Sequence, residues 1–294
     1  MPKKDNNNEE REDVQIAGSG TISGGNYESV RVAGSGKVDG DLRAKRVETA
    51  GSAEIKGNVS TEELKTAGTC KVRGWVKAGE VKTSGTCKVE EEIEADLFRC
   101  AGSQTVGGDL TAKYARIAGS CKVGGDVQVD KFVSRGSFRI KGLLSADEIE
   151  VRLGGDCAVK EIGGEKIVVQ RKGIQGLNID FSGEGLKKGL ENLGGKLDKL
   201  GERFGVDIEV DSEKLSQEIG KIGETIKTHV GGWGSGTLTA ELIEGDDVYL
   251  EWTKADTVRG NRVKIGEGCE IERVEYYEEL EVDEKAEVEE RIKL

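Results

Sequence analysis

The sequence is short of the residues on which most enzymes and most thick protein cores depend. It holds one histidine, one methionine and one proline in 294 residues, and aromatic side chains make up 4%. Apolar residues reach 35%, against 44 glycines. A thick interdigitated core needs bulky side chains, so this composition fits a thin core of small and β-branched residues. The length suits one large domain or two ordinary ones. No apolar run approaches the roughly 20 residues that span a bilayer. The opening MPKKDNNNEERED is polar throughout and lacks the apolar stretch of a secretory signal. Residues 1–13 read as a disordered tail on an intracellular chain. A basic surface is missing too. The formal net charge is −12, which argues against nucleic acid, whose phosphates demand cations. Residues 270–294 hold 11 acidic and 4 basic side chains, −7 of the total, and read as a solvated acidic end.

What is abundant is one glycine-rich phrase. VAGSGKVDGDL (32–42), TAGTCKVRGWV (66–76), CAGSQTVGGDL (100–110) and IAGSCKVGGDV (117–127) are near copies. Its first glycine falls at Gly18, Gly34, Gly51, Gly68, Gly85, Gly102, Gly119 and Gly136, a step of 16 and then 17 six times. A period held that closely marks a solenoid. We number each copy from its first apolar residue: Val14, Val30, Val47, Leu64, Val81, Phe98, Ala115 and Phe132. Position 9 is then always Val or Ile, position 13 is apolar from the second copy on, and position 15 is small. Even positions are mostly polar or charged. Alternation with period two means strands with one buried face. Glycines at positions 5 and 11 suit sharp corners. Each copy reads as three short strands and three corners, and stacking them gives a three-sided parallel β-helix with 17-residue coils over 14–172.

The pattern loosens after residue 169 and returns over 237–294, where the chain turns acidic. VKIGEGCEI (263–271) matches VKTSGTCKV (81–89), and LEVDEKAEV (280–288) follows 17 residues later. Val263/Leu280, Ile265/Val282 and Ile271/Val288 are expected to stack. Roughly a dozen coils are expected, about 55–60 Å at the ladder spacing.

Residues 173–236 do not fit a coil. Leu186, Leu190, Leu193, Leu197, Leu200 and Phe204 recur at steps of four and three, as do Leu215, Ile219, Ile222, Ile226 and Val230. The spacing predicts two amphipathic helices, followed by a Gly-rich linker. Four glycines weaken the first helix by up to about 1 kcal/mol each, so its apolar stripe needs a partner. Three partners remain open: the other helix or the β-helix wall, a second copy of the chain, and a membrane surface.

No catalytic, cofactor or metal residues emerge. Cys70, Cys87, Cys121, Cys157 and Cys269 share position 7, a small inward column, and Cys100 sits at position 3. They read as small apolar plugs in a reducing compartment. There is no CxxC, and the single histidine, His229 on the second predicted helix, leaves little for zinc. One helix-borne histidine also disfavours the acyltransferase and carbonic anhydrase chemistries carried by other β-helices. GGWGSGTL (231–238) lacks the GK[ST] of a phosphate loop and reads as a linker.

RVAGSGKVDGDLRAKRV (31–47) and RIAGSCKVGGDVQVDKF (116–132) resemble the repeats of the bactofilins, polymer-forming cytoskeletal proteins of bacteria. The resemblance covers about 14–169 and 237–294. VRGNRVKIGEGCEIERVEY (258–276) resembles the C-terminal portion of the longer Gram-positive-type members. The resemblance implies a right-handed helix that assembles end to end without nucleotide. It implies a bacterial cytoplasmic scaffold, with the inner face of the membrane as a second address. Such a scaffold positions client proteins in cell shape, envelope or motility processes. Its partners are further copies of itself and unidentified protein clients. The residues expected at the open coil ends are Val14, Ile16 and Ile22 at one, and Val282, Val288 and Ile292 at the other. The alternative is a monomeric or dimeric binding protein that uses the predicted helices as its partner surface.

Overall fold

A computed structural model describes residues 11–171 and 236–294. The predicted helices, their apolar stripes from Leu186 to Ile226, and His229 lie outside the described residues.

The described residues form an all-β parallel solenoid of about 13 turns. One turn shows why this sequence makes strands. Ser103–Val106 alternates exposed and buried residues, and Leu110–Ile117 does the same with one slip at Lys113 and Tyr114. The ladder to the next turn also skips Lys113, pairing 110–112 with 127–129 and 114–117 with 131–134. Each such turn therefore offers three short ladder segments, and its inward side chains meet across a narrow interior.

The register stacks like on like. Val47, Leu64, Val81, Phe98, Ala115, Phe132 and Ile149 are successive partners. None is more than 1% exposed. Large and small alternate where space demands it. Ala115 sits between Phe98 and Phe132, and Phe132 meets Phe138 edge to face with ring centroids 5.3 Å apart. Each buried aliphatic or aromatic residue contributes about 1.5–3 kcal/mol, and the total is a sum over turn-to-turn interfaces.

Two corner devices explain the repeated phrase. The first is close approach. A Cβ placed on Gly51, Gly68, Gly85, Gly102, Gly119 or Gly136 would lie 2.0 Å from the carbonyl oxygen of the same glycine one turn earlier. Only glycine allows that spacing. The second is a side-chain tie. Asp109 Oδ1 accepts from the Asp126 amide at 2.8 Å, and Asp126 Oδ1 accepts from the Leu143 amide at 2.8 Å. Asn58 Oδ1 accepts in the same way from the Trp75 amide at 3.1 Å. The Asp of the phrase thus satisfies the next turn's backbone, and the glycine before that amide leaves room for it.

The solenoid resumes directly after residue 236. Cys157 pairs with Leu238, Ile162 with Ile243 and Val169 with Leu250. The expected stacks Val263/Leu280, Ile265/Val282 and Ile271/Val288 are all in register. The 17-residue coil is not kept throughout, however. After residue 237 the pairing steps are 15 from Thr239 to Lys254 and 16 from Lys254 to Glu270. The step returns to 17 from Glu270 to Glu287. The shorter turns reorganise one corner: Trp252 takes a left-handed φ of 49°, and Gly268 one of 71°. A Cβ on Gly268 would lie 2.6 Å from the Trp252 indole, so the backbone there runs against the ring. The Arg171 guanidinium lies 3.8 Å from the ring centroid of the same Trp252.

Candidate assembly interface

The interior columns have two ends, and their burial changes there. At the N-terminal end, Val14 and Ile22 are half-buried and Ile16 is 7% exposed. Their partners one turn in, Val30, Val32 and Val38, are 1–2% exposed. Asp13–Ile16 pairs only with Ser29–Val32, so among the described residues its outer edge is unpaired. Gly18 marks the same opening. Nothing lies within 4 Å of where its Cβ would stand, whereas Gly34 would meet the Gly18 oxygen at 2.1 Å.

At the C-terminal end, Val282 and Val288 are half-buried, while their partners Ile265 and Ile271 are 1–2% exposed. Glu287–Lys293 pairs only with the preceding strand. Ile292 needs a correction. The register sets it opposite Glu275, which follows Arg259 in an outward column. It is a rim residue rather than part of the core slice, because the inward register place opposite Val274 falls to Arg291. Sequence reasoning missed Tyr27, Tyr276 and Ala286, which pack partly buried on the same two ends, as does Leu280 of the expected Val263/Leu280 stack. The Tyr27 hydroxyl donates to the Ser23 carbonyl at 2.9 Å, holding its ring beside Gly25. A count from Val14 puts Glu28 at place 15, and only the register shift between Ser23 and Gly25 brings Tyr27 opposite Ala44.

The walls between the ends are laced with ion pairs between successive turns. Arg31 reaches Glu48 at 2.7 Å, Arg73 reaches Glu54 at 2.6 Å and Lys113 reaches Asp96 at 2.7 Å. Exposed pairs of this kind add little stability each. A groove of about 440 Å³ on the outer wall runs past Leu143, Gly164, Gly245 and Tyr277. Its Arg259 is engaged by Glu275 at 2.7 Å and Glu244 at 3.2 Å.

The cysteines fall in the expected columns. All six are free and buried. Cys70 and Cys87 are register partners, as Cys100 is with Thr83 and Ile117. The contact with Cys87, and then burial, holds the Cys70 thiol well above its ordinary pKa, while the same contact lowers that of Cys87. Burial pushes Cys100, Cys157 and Cys269 up to about 11, and Cys121 higher still. Thiols in that state are neutral plugs, not nucleophiles. Among the described residues no group of three His, Cys, Asp or Glu side chains could hold a metal ion, and no helix is long and apolar enough to cross a membrane.

Comparison with known proteins gives short matches alone. No protein-family model matches the chain, and no solved structure does. Two curated proteins of Bacillus subtilis (strain 168) are similar over short stretches. The uncharacterized protein YhbF is 44% identical over 80 residues, 26% of this chain and 34% of YhbF. The uncharacterized protein YhbE is 58% identical over 57 residues, 19% of this chain and 24% of YhbE. The chain thus covers about a third or less of either relative.

Proposed function

We propose that this chain is a non-enzymatic scaffold that polymerises end to end, without nucleotide, through the two terminal turns of a right-handed, three-sided β-helix. The observation that carries the proposal is the state of those turns. The apolar columns run buried through the solenoid and emerge half-exposed at both ends, on strands whose outer edges are unpaired among the described residues. Such an edge is a template for another strand, and the apolar slice beside it is a template for another turn. The resemblance of the 17-residue phrase to the bactofilin repeat supports the same reading. It extends the reading to a bacterial cytoplasmic cytoskeleton that positions client proteins.

The test is electron microscopy of the purified full chain in nucleotide-free buffer. Filaments or sheets are expected. Ile16→Lys or Val288→Lys should leave discrete particles with an unchanged circular dichroism spectrum. Discrete particles from the unaltered chain, or filaments that persist in both variants, would refute end-to-end assembly.

A further inference from the structure

One outward column crosses the whole C-terminal half of the solenoid and changes sign along its length. It enters that half from Lys88 and Thr105 and runs on through Lys122 and Arg139, which are register partners. It continues through Ala158, Thr239 and Lys254. It ends with Glu270 and Glu287. Two residues further along the same strands, a second exposed column repeats the pattern. Lys141 and Lys160 stand at one end, and Asp256, Glu272 and Glu289 at the other. In sequence these residues are scattered over 168 positions. The fold alone lines them up on one wall.

Most of these charges have no partner within the chain. Lys122, Arg139 and Lys141 make no ion pair among the described residues, and neither do Asp256, Glu272, Glu287 and Glu289. The exceptions are Lys160 with Glu161 at 3.2 Å and Lys254 with Glu270 at 2.5 Å. Two other acids share the wall. Asp156 accepts from the Thr237 amide at 3.3 Å, and Glu241, two residues past Thr239, stands in the second column between Lys160 and Asp256.

The arrangement is self-complementary. Lys122 lies three turns before Thr239 and Glu287 three turns after it, each about 14 Å away at the ladder spacing. We propose that this wall is an isologous contact between two copies of the chain, laid side by side and antiparallel, with the two-fold axis at Thr239. The axis sets Lys122 against the second copy's Glu287 and Arg139 against its Glu270. It likewise sets Lys141 against Glu272 and Lys160 against Asp256, and each pair occurs twice. A parallel arrangement would set like charge on like charge along both columns, which costs affinity and excludes that register. The contact uses the wall and not the ends, so it does not rest on end-to-end assembly.

Sedimentation velocity of the full chain carrying Ile16→Lys, which keeps end-to-end polymers out of the measurement, tests it. At about 50 mM salt a dimer is expected, and its association constant should fall at least about tenfold by about 500 mM as exposed charges are screened. Lys122→Glu with Arg139→Glu should abolish the dimer. Adding Glu270→Lys and Glu287→Lys to that variant should restore it, which no folding defect would mimic. Thr239→Cys, exposed and on the axis, should cross-link to itself under a mild oxidant, while Thr111→Cys on another wall should not. The proposal falls if the quadruple variant stays monomeric or if Thr239→Cys fails to cross-link. It also falls if the first reversal changes only binding to phosphatidylserine vesicles and not sedimentation. Val288→Lys separates the two contacts. It should leave this dimer intact, and loss of the dimer there would place the association at the rod end.

Discussion

Alanine at two glycines of the same column should give opposite results. At Gly85 the new Cβ would meet the Gly68 oxygen at 2.0 Å and the Ala67 oxygen at 2.5 Å, both backbone. Real Cβ atoms essentially never come within 3.0 Å of another heavy atom. The turn would have to lift by about 1 Å over a ladder that is in register on both sides. Overpacking of that kind costs about 1–3 kcal/mol, and a backbone obstacle places Gly85→Ala at the upper end. A loss of about 3 kcal/mol would speed amide exchange in the flanking turns by on the order of a hundredfold. Gly18→Ala meets nothing, and Gly18 is not among the glycines with positive φ. It should leave exchange unchanged or slow it slightly, by the roughly 0.4–1 kcal/mol gained from a stiffer unfolded chain. Yet it should impair polymerisation, because an incoming turn needs the approach that every later glycine gives its neighbour. Hydrogen exchange by mass spectrometry and electron microscopy on the two variants read both effects. If Gly85→Ala exchanges like the unaltered chain, the close-approach argument is wrong. If Gly18→Ala loosens the first turn as Gly85→Ala loosens its own, that turn is already covered from within the chain.

The Asp tie should appear as a strong coupling. Gly125→Ala would place a Cβ 1.9 Å from Asp109 Oδ1, while the nearest backbone atom beyond that side chain is 3.2 Å away. Asp109→Ala alone should cost about 1–2 kcal/mol by orphaning the Asp126 amide, and Gly125→Ala alone more. The double variant should be less destabilised than the sum by at least about 1 kcal/mol in urea titrations, and additivity would contradict the geometry. The buried thiols should set an alkaline limit. Cys100, Cys157 and Cys269 hold their protons to about pH 11 when folded, while unfolded thiols lose theirs near 9. The unfolded state therefore binds fewer protons between those values. Stability should be level below pH 9 and fall above it, by up to about 2.7 kcal/mol per thiol. Cys-to-Ala replacement at these three sites should flatten that decline in pH-dependent urea midpoints. Iodoacetamide at pH 8 should label none of the six cysteines until denaturant is added.

The interior was legible because its rule is local. Val47, Leu64 and Val81 announce the column by recurring every 17 residues, and the Cys column follows from the flanks of each cysteine. The stacks Val263/Leu280 and Ile271/Val288 were readable for the same reason, even beyond the long interruption. The corners were only half legible. Glycine was expected for its backbone freedom, but most corner glycines answer to the carbonyl of the turn before, a contact between residues 17 apart. The Asp of the phrase looked like a surface residue until its carboxylate was placed on the next turn's amide. Ile292 was misplaced because a fixed period was carried to the last turn, where the register gives its inward place to Arg291. The charged wall was illegible. Its columns pass from Ala158 to Thr239, a jump of 81 residues that no periodicity predicts.

That jump also bears on how the chain is made and altered. A growing solenoid can add each turn as it leaves the ribosome, because the template is always the turn just finished. Cys157–Arg171 is the exception, since its partner strand starts at Leu238. The edge must wait, open, while the intervening segment is synthesised, which makes this the stage most exposed to mispairing with a neighbouring chain. Once the ladder closes, the solenoid fixes the two ends of whatever lies between these strands. For a flexible insertion, doubling the length costs only about 0.6 kcal/mol. The rod thus carries a socket at which a passenger of different size can be exchanged while the turns on either side keep their register.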